Sequence, residues 1–97
     1  MSDKYKLDGR IPVPVDDLIE WATWFEKFDR QVARTMVGES RVSTIFLGLD
    51  HNFGDGPPLL FETMVFGGPL DGEQERYSTW EQAEAGHASM VQRLGVA

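Results

Sequence analysis

The sequence predicts an α+β fold: one small domain in α-β-β-β-α order, with a three-stranded antiparallel sheet packed by two helices. Three observations predict it. Apolar residues recur at helical spacing after Asp16. Two runs rich in β-branched and aromatic residues, VSTIFLGLD and LLFETMVF, flank an irregular DHNFGDGPP loop. Helical spacing then returns after Thr79.

Residues 1–15 carry no helical period. Pro12 and Pro14 alternate with Ile11, Val13 and Val15, which reads as an extended N-terminal arm lying on the surface. The first helix is expected over residues 16–30, capped by Asp16, with Asp17 and Glu20 suited to its positive end. Leu18, Trp21, Ala22, Phe25 and Phe28 form its buried stripe, whereas Ile19 and Trp24 lie off the stripe. Strands are expected over residues 32–37, 42–50 and 59–66, the first two close enough to pair as a hairpin around Gly38-Glu39-Ser40. Two Gly and two Pro within five residues make the loop at 50–58 irregular. Gly67-Gly68-Pro69 ends the third strand, and a polar loop follows to Tyr77. Ser78 and Glu81 match a capping box for a helix over residues 79–94. Its stripe is Trp80, Ala83, His87, Val91 and Leu94, and Gly86 marks a close approach to the sheet.

Strand alternation adds an expectation about assembly. Ile45, Leu47 and Leu49 point one way and Val42 and Phe46 the other; Phe61 and Val65 oppose Leu60, Met64 and Phe66. Two helices cover one face, and a sheet with water on its second face alternates more cleanly than this. The second face is therefore expected to be covered by the N-terminal arm, by a second subunit in a homodimer, or by another partner.

Composition narrows the function. The 97 residues fit one domain, and a 41% hydrophobic content with three Trp and six Phe supports a core. Absence of cysteine excludes disulfides, thiolate metal sites and a Cys nucleophile. No apolar run approaches a membrane span, so a cytoplasmic protein without membrane contact is expected. The net charge of -7, with no basic cluster, disfavours nucleic acid as a partner and leaves a basic protein partner or simple solubility as readings. Carboxylates standing in for phosphates rank last, because the acids are interspersed with Lys and Arg.

Candidate ligand- or partner-binding residues are Asp50, His51, Asn52, Asp55, Arg34, Arg41, Arg76, Tyr77 and Trp24. Asp and His together suit acid–base or metal chemistry, but the same loop residues suit backbone bracing, with positive φ at Gly54 and Gly56. No nucleophile elbow, P-loop, dinucleotide motif or twelve-residue calcium loop is present. No catalytic residue, metal or cofactor is assigned. Glu62 in an apolar strand requires a cation, for which Arg34 and Arg41 are candidates. His87 on an apolar stripe reads as a satisfied core residue; proximity to Asp50 and His51 would favour an enzyme instead. Off-stripe Trp24 is a candidate recognition residue. Arg76 and Tyr77, beside helix amides, suit a small anion, against which Glu81 and Glu84 count.

The block VSTIFLGLDHNFGDGPPLLFETMVFGGPLDGE and the following RYSTWEQAEAGH resemble a family of small uncharacterised tailed-bacteriophage and prophage proteins. KYKLDGRIPVPVDDLIEWATWFE and RQVARTMVGESRVST extend the resemblance over nearly the whole chain. It implies a bacterial host cytoplasm and an accessory role, but no activity and hence no catalytic residue. The leading expectation is a phage accessory protein that binds stoichiometrically to a host factor or defence component. Alternatives are sequestration of a small ligand or nucleotide signal by Arg34, Arg41, Arg76 and Tyr77, and a small enzyme or metal-binding protein centred on Asp50, His51 and Asp55.

Overall fold

The computed structural model describes residues 3–95, so the first two residues of the expected arm lie outside it. The arm is a hairpin. Strand β1 (Tyr5–Asp8) pairs antiparallel with β2 (Ile11–Pro14), with Leu7 opposite Pro12 and Tyr5 opposite Pro14. The amide of Val15 donates to Lys4 O at 2.8 Å, so odd-numbered amides of this segment face β1. Pro12 and Pro14 thus direct their missing donors outward, where no ladder bond is lost and strand addition is blocked.

Helix α1 (Leu18–Lys27) is shorter than expected. Asp17, not Asp16, caps it: Asp17 Oδ1 accepts from Ile19 N at 2.8 Å and Glu20 N at 3.1 Å. Its buried side also differs. Trp24 is buried, Trp21 and Phe25 are half-buried, and Leu18, Ala22 and Phe28 are exposed. The helix sits beyond the sheet's end against the hairpin, so it buries a narrower, rotated strip than a helix laid flat on a sheet. Trp21 Nε1 lies 3.1 Å from both Tyr5 O and Gly48 O and ties hairpin, helix and sheet end together. Gly48 has φ 78, and a Cβ there would lie 2.9 Å from the Phe25 ring.

The main sheet has four strands, one more than expected, in the order β3 (Gln31–Val37), β4 (Ser40–Phe46), β5 (Phe61–Phe66) and β6 (Gln74–Tyr77), all antiparallel. Strand β4 begins two residues before the expected start and ends at Phe46; Leu49 makes only an isolated bridge to Lys4. Strand β6 occupies part of the expected polar loop. Its QERY sequence has one apolar residue, as befits a short charged edge.

Helix α2 (Trp80–Gly95) lies across all four strands. Its capping box is displaced by one residue: Thr79 Oγ1 accepts from Gln82 N at 3.1 Å, and Gln82 Oε1 accepts from Ser78 N at 3.0 Å. Ala83, His87, Met90 and Leu94 are buried. One core cluster joins Trp24, Phe46, Leu60, Phe61 and Ala83; the other joins Val42, Val65, Met90 and Leu94. Tyr5 and Leu7 of the hairpin and Phe25 of α1 pack on the first. Hairpin and both helices thus share one side of the sheet, and the arm does not cover the second face.

Candidate functional site

The loop at 50–58 is held by its own polar side chains. Asp50 Oδ1 accepts from Asn52 N at 2.8 Å and from Leu59 N at 3.0 Å, closing the loop's base. Asn52 Oδ1 accepts from Gly54 N at 2.9 Å, while its Nδ2 donates to Asp55 O at 3.1 Å and Pro57 O at 2.9 Å. His51 Nδ1 meets Leu49 O at 2.9 Å. Gly56 has a positive φ of 109, and Gly54 does not. Among the described residues, no three His, Cys, Asp or Glu side chains come together as metal ligands. At the tip stands Phe53, 93% exposed.

His87 lies elsewhere, between α2 and the sheet, 6% exposed. Its Nε2 is 2.8 Å from Thr35 Oγ1 and its Nδ1 is 2.7 Å from Thr44 Oγ1. Thr44 Oγ1 is 2.6 Å from Thr63 Oγ1. The Tyr77 hydroxyl lies beside Thr63 and donates to Glu75 Oε2 at 3.5 Å. A polar chain therefore crosses the core with one member on each of the four strands. A Cβ on Gly86 would overlap the Tyr77 ring and hydroxyl, so this glycine is where α2 makes room for the chain's end. Burial lowers the His87 pKa and raises that of Tyr77, to which the nearby Glu75 charge adds. His87, Thr44 and Thr63 are buried, Thr35 and Tyr77 half-buried, so the polar groups of this chain meet one another within the core. Thr35, Thr44 and Thr63 were not singled out from sequence, although polar residues at inward positions of apolar strands are the signal that marks them.

The other side of the sheet carries Arg34, Arg41 and Arg76. Register places Met36, Arg41 and Phe66 in one cross-strand row, Arg34, Ser43, Met64 and Gln74 in the next, and Ile45, Glu62 and Arg76 in the third. All are exposed or half-buried, with Met36 59% and Phe66 41% exposed, and none belongs to a core cluster. Glu62 pairs with Arg76 Nε at 3.1 Å, rather than with Arg34 or Arg41. The Arg41 guanidinium lies 4.5 Å over the Phe66 ring, and its buried Nε has no hydrogen-bond partner among the described residues. Tyr77 faces the opposite side, which separates it from the three arginines.

Trp24 is a core residue rather than a free recognition surface. It stacks on Phe28 at 5.5 Å and meets Phe46 edge-on at 5.7 Å. With Lys6, Leu7, Asp8, Val13 and Phe28 it lines a cleft of about 420 Å³ between hairpin and α1, where Lys6 is tied to Glu20 at 3.1 Å.

No protein-family model, curated protein or solved structure matches the chain. No helix among the described residues is long and apolar enough to cross a membrane.

Proposed function

We propose that this protein acts by binding a macromolecular partner through the open face of its four-stranded sheet. The observation that carries this reading is the face's composition: three arginines interleaved with Met36, Ile45, Met64 and Phe66, on the side that neither helix nor hairpin covers. Arg, Met and aromatic residues are the types enriched at interfaces, and Lys is depleted there. The Asp50–His51 loop supports catalysis less well, because Asp50 and Asn52 are committed to the loop backbone. A small nucleotide signal is also less well supported, since the arginines spread over a sheet rather than line a walled pocket.

The resemblance to small tailed-phage proteins makes the partner a host factor or defence component, met in the bacterial cytoplasm. A homodimer through the same face is the second reading, supported by the exposed apolar side chains Met36 and Phe66. Affinity capture from host lysate tests the first, with wild-type protein compared against a Met36→Asp/Arg34→Glu variant. Both positions are exposed, so the variant is expected to melt like wild type. A partner retained by wild type and lost by the variant supports the reading. Identical captured proteins would overturn it.

A further inference from the structure

We infer that the open sheet face docks an acidic, partly apolar segment of another protein, in preference to a second copy of this chain or a nucleic acid. This rests on the reading that the open face is the binding surface. The face's charge is opposite to that of the molecule around it. It holds three arginines and one carboxylate, Glu62, which is already spent on Arg76 at 3.1 Å. Arg34 has no ion-pair or hydrogen-bond partner among the described residues, and Arg41 meets only the Phe66 ring. The whole chain is nevertheless at -7, so an electropositive patch stands out of an acidic surround. All three cations of the face are Arg, while Lys4, Lys6 and Lys27 lie elsewhere. A guanidinium binds carboxylates in a two-pronged fork and tolerates apolar surroundings better than an ammonium does.

Geometry selects the ligand's size. Arg34 on β3 and Arg76 on β6 are three strand spacings and two residues apart, roughly 15 Å between Cα positions at about 4.8 Å per strand and 3.3 Å per residue. One small anion does not span that distance; a segment of about five extended residues does. Each cross-strand row sets an arginine beside apolar side chains, Met36 and Phe66, Met64, or Ile45, so the ligand needs apolar side chains among its acids.

The same observations count against the competing occupants. A second copy would set Arg34, Arg41 and Arg76 against themselves, with only a paired Glu62 to answer, and two bodies of -7 repel on approach. Four strands about 4.8 Å apart, of seven, seven, six and four residues, present roughly 400 Å² of projected face, about half of what each partner contributes to a standard protein interface. A single strand of nucleic acid stacks its bases on open aromatic planes. The face's one aromatic ring, Phe66, is already covered by Arg41 at 4.5 Å.

The test uses fluorescence anisotropy with labelled twelve-residue probes: alternating Glu/Leu, Ser/Leu and Lys/Leu peptides, and a dT oligonucleotide. Light scattering follows the oligomeric state. The Glu/Leu peptide is expected to bind at least tenfold more tightly than the other probes. That preference should shrink at least tenfold in Arg34→Glu/Arg41→Gln and between 50 and 300 mM salt. Ser/Leu or Lys/Leu binding of equal strength, lost in Met36→Asp, would overturn the acidic class yet leave the open face as the binding surface. Tighter binding of the oligonucleotide, or a dimer broken by Met36→Asp, would put a different occupant on that face. No binding of any probe, or binding indifferent to every face substitution, would overturn both readings.

Discussion

Replacing Thr44 by Val removes one hydroxyl from the middle of the buried polar chain and leaves the volume nearly unchanged. Thr44 is fully buried, and its Oγ1 meets both His87 Nδ1 at 2.7 Å and Thr63 Oγ1 at 2.6 Å. Without that oxygen, His87 Nδ1 faces a methyl group. Thr63 keeps the Tyr77 hydroxyl as a polar neighbour, so it loses less. One fully orphaned buried polar group costs about 1–3 kcal/mol, and a half-orphaned one adds to it. The expected loss is about 2–3 kcal/mol, a large share of the roughly 5–15 kcal/mol that holds a small domain together. In urea, followed by tryptophan fluorescence, the midpoint should fall by roughly 1–2 M at unchanged slope. Thr44→Ser keeps the hydroxyl and loses one methyl, which costs about 1 kcal/mol. The order Thr, Ser, Val is therefore expected, with Val last, whereas hydrophobicity alone would place Val first. The double variant Thr44→Val/His87→Leu should recover part of the loss, because removing both partners leaves fewer groups stranded. A Thr44→Val protein as stable as Thr44→Ser would refute the view that the chain is a set of mutually satisfied bonds.

Other consequences follow from the same packing. Burial lowers the His87 pKa in the folded state; as pH falls below the unfolded value of about 6.5, the unfolded chain takes up a proton that the folded one does not. Stability should therefore fall with pH from about 6.5 down to the folded pKa, by at most about 1.4 kcal/mol per pH unit from this residue, and the His87→Leu variant should lack that component in a pH series of urea titrations. Asp50→Ala removes the acceptor for Asn52 N and Leu59 N and should cost about 1–2 kcal/mol, with faster proteolysis confined to the loop at 50–58. Gly86→Ala should destabilise despite a helix-propensity gain of about 1 kcal/mol, because its Cβ would occupy the position of the Tyr77 ring; a higher melting temperature would mean that Tyr77 swings aside at no cost.

The fold class, both helices and the two central strands were legible because each carries a strong period in its own sequence. What was missed depended on neighbours. Strand β6 has no apolar period, since its backbone partners come from β5 and, of its two inward positions Glu75 and Tyr77, one is charged. Trp24 was misjudged because a helix packed at a sheet end against a hairpin buries a different strip from one laid flat. The hairpin was hidden by Pro12 and Pro14, which break central strands but suit an outer edge. The bracing role of Asp50 and Asn52 was readable from residue type and local spacing. The Glu62–Arg76 pair was not, because it joins strands whose adjacency the sequence did not reveal. The three arginines were candidates individually. That they share a face, and that Tyr77 does not, is a matter of register.

Register also links the two sides of the sheet. Thr35 lies between Arg34 and Met36, Thr44 between Ser43 and Ile45, Thr63 between Glu62 and Met64, and Tyr77 follows Arg76. Every inward member of the polar chain is thus the immediate neighbour of residues on the open face. A one-residue slip of β3 or β4 would turn Thr35 or Thr44 outward and take a partner from His87, and a slip of β5 or β6 would turn Thr63 or Tyr77 outward. Apolar contacts alone would resist such a slip weakly, because both faces are partly apolar, with Val42, Phe46, Phe61 and Val65 inward and Met36, Ile45, Met64 and Phe66 outward. The hydrogen bonds resist it strongly, since each donor and acceptor has one position that satisfies it. The polar chain of the core therefore also fixes the spacing of Arg34, Arg41 and Arg76 across the sheet. A surface held in this way has little backbone freedom left to lose when a segment docks on it, and more of the contact energy remains as affinity.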